Sequence, residues 1–234
     1  MTKRFLPAAL ATALFTFSAM SLMGQARIDT VELQKGEVLD ILLISTKEDV
    51  GEDLKAYFRD AGTVAQRYSY TSLPGFRVME HTQGNHQPQI LVMGGWSDLE
   101  KREAFLDEIL DEVPDFHERR RKIWSYFGLC YFELQEDLFL QINRDQYHVA
   151  TALWFEDASK AEDYLKQWNK QLGRAKGEVL VQLQDGTSPK GYQFRPDFFV
   201  ITTWEDETAY RRFQAKAERL DGESIRHSNE LVLE

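Results

Sequence analysis

The sequence predicts an α+β protein made of two copies of one β-α-β-β-α-β unit, packed sheet to sheet, and three observations carry that reading. The first is an echo. Pro88-Gln-Ile-Leu-Val-Met-Gly-Gly-Trp96-Ser-Asp98, running on to Phe105, returns as Pro196-Asp-Phe-Phe-Val-Ile-Thr-Thr-Trp204-Glu-Asp206, running on to Phe213. A single offset of 108 residues aligns Pro88 with Pro196, Val92 with Val200, Trp96 with Trp204, Asp98 with Asp206 and Phe105 with Phe213. The second observation is the shape of each copy: an apolar, β-rich run, an acidic residue, then an amphipathic charged run, which is a strand feeding a helix through a short turn. The third is that the elements on either side recur in the same order.

Taken along the chain, residues 27–37 are a polar lead-in able to add an edge strand. Val38 to Ser45 is a near-continuous aliphatic run of the kind a helix-covered sheet uses. Glu48 to Arg67 has helical periodicity, with Leu54, Phe58 and Ala61 or Val64 recurring on one side. Ser72-Leu-Pro74-Gly75 breaks it, Phe76 to His81 reads as a strand, Thr82 to Gln87 as a turn around Gly84, and Gln89 to Trp96 as the next strand. A long helix from Asp98 towards Trp124 is disturbed at Pro114, and Leu129 to Leu134 closes the unit.

The second pass begins near Gln146. Tyr147 to Phe155 is a strand, and Ala161 to Trp168 is a helix that matches Gly51 to Phe58. Glu178 to Gln184 and Asp197 to Trp204 are strands around a longer turn carrying Gly186, Pro189 and Gly191. Thr208 to Leu220 is the last helix and Asn229 to Leu233 the last strand. This divides the chain into a first unit over 38–134, a connection over 135–145 and a second unit over 146–234. The connection carries Leu138, Phe139 and Leu140, a composition suited to packing and not to a flexible linker.

A β-α-β-β-α-β unit is ferredoxin-like: one antiparallel sheet with two helices on one face and the other face bare. Two such units pressing their bare faces together bury both. Residues and order together resemble the dimeric α/β-barrel superfamily, which includes antibiotic-biosynthesis-monooxygenase-like domains, the NIPSNAP group and chlorite-dismutase-like proteins. The resemblance rests on the doubled element order and on a strand ending in Trp before an acidic residue and a helix, Val92 to Asp98 and Val200 to Asp206. It implies a fused dimeric α/β barrel, with ligands held between sheet and helices.

The start of the chain has the form of a signal peptide over residues 1–26. Lys3 and Arg4 precede an uncharged apolar stretch from Phe5 to Met23, and Gly24-Gln25-Ala26 offers small residues where a peptidase cuts, so cleavage is expected after Ala26 with export to the periplasm or the medium and no stable membrane insertion afterwards. Removal takes away Lys3 and Arg4 and no acid, leaving 26 basic against 38 acidic residues, a net charge of −12. Such a body disfavours nucleic acid, whose binding depends on neutralising phosphates. The basic run Arg119-Arg120-Arg121-Lys122 reads first as a complement to a helix C-terminus and second as an anion site. The single cysteine, Cys130, has no intramolecular partner and is expected to be a small buried hydrophobe.

No nucleophile elbow, phosphate loop, paired-carboxylate signature or metal-spaced pair is present, and no catalytic assignment follows. His81 and His86 flank a turn. His148 falls in a strand, on the face opposite Tyr147. His227, beside the closing strand, is the best candidate for an axial ligand or acid/base group. Relatives that oxygenate without cofactor pair the helix-start Trp with a first-strand Asn and a second-helix His; Trp96 and Trp204 match the first, Val38 to Ser45 holds no Asn, and His117 and His227 lie 21 and 23 residues beyond their tryptophans.

The five tryptophans, Trp96, Trp124, Trp154, Trp168 and Trp204, would suit a cavity for a planar apolar ligand such as haem or a polycyclic phenol. The expected ligand-binding set is Trp96, Trp204, His148 and His227, with His227 and Trp204 as catalytic candidates and no metal site. The leading expectation is an exported protein that binds a small apolar or aromatic molecule. The alternatives are a cofactor-independent monooxygenase acting on phenols or quinols and a non-catalytic envelope interaction module; a homodimer of the fused unit stays open.

Overall fold

The computed structural model describes residues 27–234 except 190, 193, 218–219 and 221–223. The signal-peptide expectation for residues 1–26 lies outside the described residues. In chain order the elements are β1 (Ile28–Leu33), β2 (Val38–Thr46), α1 (Gly51–Arg67), β3 (Thr71–Gln83), β4 (Ile90–Trp96), α2 (Leu99–Glu112), α3 (Phe116–Ile123), β5 (Trp124–Glu133), β6 (Leu138–Asn143), β7 (Tyr147–Phe155), α4 (Ala161–Arg174), β8 (Glu178–Gln184), β9 (Phe198–Trp204), α5 (Glu207–Ala217) and β10 (Ile225–Leu233).

Eight strands form one antiparallel sheet in the order β5-β2-β4-β3-β10-β7-β9-β8. Its two halves, β5-β2-β4-β3 and β10-β7-β9-β8, have the same internal order, and the pairing of β3 with β10 joins them. Among the described residues the outer edges are joined by one backbone bridge, where Tyr131 on β5 and Thr187 just after β8 exchange two hydrogen bonds of 2.8 Å each. That contact closes the sheet into a barrel.

Period-two alternation sorts the side chains. Leu39, Ile41 and Leu43 of β2 point into the barrel with Ala150, Ala152 and Trp154 of β7, while Val38, Ile44 and, on β7, Val149 and Leu153 face helices. Three apolar clusters result: a barrel interior drawn from both halves, a layer under α1, α2 and α3, and a layer under α4 and α5. The expected sheet-to-sheet burial is the first of these. Cys130 lies wholly buried within it, and burial pushes its thiol up to about 12.

The acidic residue after each motif tryptophan has a local reason. Asp98 accepts from the Lys101 backbone N–H at 2.8 Å and Asp206 from that of Ala209 at 2.8 Å, so each carboxylate caps the helix that follows its strand. Pro114 separates α2 from α3, since it offers no N–H and holds the preceding Val113 out of helical geometry (φ −128°, ψ 74°).

Four expectations change. Pro74-Gly75 does not separate helix from strand; it is a register shift within β3, which starts at Thr71, and a Cβ on Gly75 would meet the Leu91 carbonyl oxygen at 2.6 Å. β5 starts at Trp124, five residues early, because the chain passes from α3 straight into extended backbone. The connection contains a strand, β6, which pairs with β1 in a separate two-stranded ribbon and adds Val31, Leu33, Leu140 and Ile142 to the barrel interior. His227 is inside β10, not at a junction before it.

The closure leaves little tolerance. A Cβ on Gly186, next to Thr187, would meet the Cys130 Sγ and the Phe132 ring at 2.4 Å, both packed in the interior. Gly186→Ala is therefore expected to lower stability by about 1–3 kcal/mol, read from urea unfolding; a change below about 0.5 kcal/mol would show that this approach is not tight.

Candidate functional site

The helix layers of the two halves differ because their first helices differ. Aligned at Gly51 and Ala161, α1 and α4 put Phe58 opposite Trp168 and Gly62 opposite Leu172. Trp168 and Leu172 are buried against the second half of the sheet, whereas Phe58, expected on the packed side, is 56% exposed and Gly62 has no side chain. A cavity of about 110 Å³ opens in the space this leaves, between α1 with its Ala61, Gly62 and Ala65 and a floor of Leu42, Val92 and Leu129. Its walls are aromatic, chiefly Trp96, Phe105, Tyr57 and Trp124.

Three charged side chains line it: Asp40, Arg102 and Arg120. Asp40, on the helix-facing side of β2, accepts from Arg102 Nε at 2.8 and 3.1 Å, with both groups almost wholly buried. The Arg102 guanidinium lies over the rings of Trp96 (5.2 Å) and Tyr131 (4.5 Å). Burial raises the Asp40 carboxyl above its ordinary range, and the Arg102 charge pulls it partway back. Arg120, on α3, donates through Nε to the Tyr57 hydroxyl at 2.9 Å and through Nη1 to the Tyr192 hydroxyl. It also packs over Phe116 (4.1 Å) and Phe127 (4.6 Å), and among the described residues no carboxylate pairs with it.

Among the described residues Trp124 Nε1 and Arg102 Nη1, on side chains lining this cavity, are buried without a hydrogen-bond partner, while the Trp96 indole N–H faces the Asp40 carboxylate and helps hold its charge. Each is a donor. Buried donors normally find acceptors, and donors without one on side chains beside a cavity single it out as the candidate site.

The structure does not bring the four residues singled out in the sequence together. Trp96 lines the cavity. Trp204 occupies the corresponding place in the second half, but packs against Tyr210 (5.8 Å) and Phe213 (4.9 Å), with its indole N–H donated to Thr202 Oγ1 at 3.0 Å. His148 is inside the barrel, with Nε2 2.9 Å from the Asn143 carbonyl and its ring against Phe76. His227 lies about 20 Å further along the strand direction, since its neighbour Trp154 is six residues along β7 from His148, in a cluster of Trp154 (4.9 Å) and His86 (5.7 Å). Tyr126 joins that cluster through its hydroxyl, 2.6 Å from His86 Nδ1.

Asp40, Arg102, Arg120 and Trp124 were not singled out as site residues. Asp40 had a signal, as the one charge in an aliphatic strand. Arg120 had one in the basic run. Arg102 had none among the charges of its helix.

No protein-family profile and no curated protein matches the chain. Solved structures do. It is similar to a variant of chlorite dismutase from Candidatus Nitrospira defluvii, at a TM-score of 0.52 and 8% identity over 86% of this chain and 93% of that one. It is similar also to the chlorite dismutase of that organism in complex with imidazole, at a TM-score of 0.50 and 9% identity over 86% and 92%. Likeness at such identities is likeness of fold, and the fold shared is a ferredoxin-like α+β barrel.

Haem, a planar ligand that the tryptophans could suit, makes demands that the residues present do not meet. The cavity is small beside the several hundred Å³, roughly, of a pocket for a large organic ligand, and its lining has no His, Cys or Met. The equivalent layer of the second half is filled by Trp168, Trp204, Tyr210 and Phe213, His148 is buried inside the barrel, and His227 is half-buried against the rings of Trp154 and His86. These sites as built do not fit a haem.

The buried pair supplies a stability test. Asp40→Ala leaves Arg102 buried beside aromatic rings without a counter-charge and is expected to cost about 3–5 kcal/mol, while Asp40→Leu combined with Arg102→Met recovers most of the loss. Thermal unfolding of both variants checks this. A double variant no more stable than Asp40→Ala would mean that the pair does more than neutralise itself.

Proposed function

We propose that this chain is an exported binding protein for a small apolar or aromatic molecule, with its site in the helix layer of the first half. In this reading residues 1–26 are removed after Ala26, and 38–134 and 146–234 are repeats of one ancestral unit, of which only the first keeps room for a ligand. The observation that carries it is the cavity beneath Trp96, aromatic-walled and bordered by unpartnered donors. Its size suits a single ring, since an apolar cavity of roughly 150 Å³ is known to hold benzene.

The filled barrel interior would by itself suit a non-catalytic interaction module, and the cavity favours ligand binding over it. Cofactor-independent oxygenation has weaker support, because Trp204 and His227 lie in separate clusters and neither lines the cavity.

Gly62→Leu tests the reading. A Cβ at Gly62 meets nothing within 4 Å, so a larger side chain can occupy the space, and replacing a helical glycine favours α1 by up to about 1 kcal/mol. The variant is expected to unfold at the same or a higher temperature and to lose the saturable change in tryptophan fluorescence that p-cresol or benzyl alcohol produces in residues 27–234. Absence of that change in the unaltered protein would refute the proposal.

A further inference from the structure

The charge inside the cavity is unbalanced. Asp40 and Arg102 neutralise each other at 2.8 Å, which leaves the Arg120 guanidinium as a surplus positive charge. Its nearest hydrogen-bond partners, the hydroxyls of Tyr57 and Tyr192, are neutral, and the rings of Phe116 and Phe127 cover its faces. A partly buried cation without a counter-ion is costly, even in a protein whose net charge is strongly negative. With Nε and one Nη1 proton engaged, the fork still has N–H groups to donate. Trp124, the first residue of β5 directly after α3, lines the same cavity and adds an indole N–H that is buried and has no acceptor.

Arg120 also has a particular position. It borders the inner cavity and, with His117, Arg121, Tyr192 and Gly191, an open surface groove outside it. A charged group held by this side chain stays close to water, while whatever it carries extends inward towards Trp96 and Phe105.

We infer that the ligand is a small monocarboxylate, aromatic or short-chain, whose carboxylate is received by Arg120 and the Trp124 indole N–H and whose apolar part fills the cavity. Resting on the proposed cavity, this names the chemical class that the cavity selects. Tyr192, from the β8–β9 segment of the second half, is a positioning residue: its hydroxyl holds the guanidinium, and Ser188 ties that segment down by donating to the Leu129 (2.8 Å) or Tyr192 (2.7 Å) carbonyl.

The experiment is calorimetric titration of residues 27–234 with benzoate, with benzyl alcohol as the neutral ring of similar size, and with benzylamine as the cation. Benzoate is expected to bind at least about tenfold tighter than benzyl alcohol, and benzylamine not to bind. Arg120→Gln should abolish the advantage of benzoate over benzyl alcohol, with Tyr192→Phe giving a smaller loss of that advantage. Equal affinity for benzoate and benzyl alcohol in the unaltered protein, or a benzoate preference that survives Arg120→Gln, overturns the inference and leaves the cavity reading standing. Binding of none of the three probes overturns the cavity reading itself. Should Arg120→Gln not fold, the comparison of the three probes on the unaltered protein still decides the matter.

Discussion

The pairing of β3 with β10 is the constraint on which everything else rests. A four-stranded sheet with helices on one side leaves its other side exposed to water, and each half of this chain has such a sheet. Joining them edge to edge and curling the product turns two bare faces into a common interior, where Leu39, Ile41 and Leu43 share a cluster with Ala150, Ala152 and Trp154. Apolar burial at about 25 cal/mol per Å² makes that interior the largest source of stability, and a single cysteine within it has no part to play as a cross-link. The β1–β6 ribbon completes the job by adding its own apolar residues to the interior.

Once the interior is filled, the remaining room lies outside it, in the helix layers. There the halves diverge. The second closes its layer with Trp168 and Leu172, and the first leaves Gly62 and an outward Phe58 at the matching places. Identical strand order therefore coexists with unequal packing, and the inequality is what produces a cavity. The Asp40–Arg102 pair sits at that cavity because a charge on a buried strand requires its opposite nearby, and α2 supplies it.

Much of the fold was legible in the sequence. Strand alternation, the two Trp-to-Asp junctions and the proline between α2 and α3 depend on local rules, and β7, β8 and α4 start where the pattern placed them. What was missed depends on contacts between distant residues. Pro74-Gly75 looks like a breaker until Leu91 is seen beside it, and β6 is unremarkable until β1 pairs with it. The site was less legible. Trp96 and Trp204 are equivalent by sequence, and only the side chains across from them, sixty or fewer residues away in the chain, decide which one faces open space. Histidine drew attention through its chemistry, yet His148 is packed in the barrel and His227 lies among rings away from the cavity; of the arginines facing the cavity, Arg120 stood out in the basic run and Arg102 was hidden among the charges of its helix.

The seam between Tyr131 and Thr187 bears on this. Every other neighbouring pair of strands in the sheet shares a ladder of backbone bonds, whereas here one bridge completes the circle. Five residues beyond Thr187 the same segment delivers the Tyr192 hydroxyl to Arg120. A molecule that draws on Arg120 thus leans on the thinnest part of the wall, and whatever free energy it contributes also opposes the parting of the two halves there. Occupancy and barrel integrity become a single equilibrium, in which the second half, its own helix layer packed with Trp168 and Leu172, acts as the latch of the first.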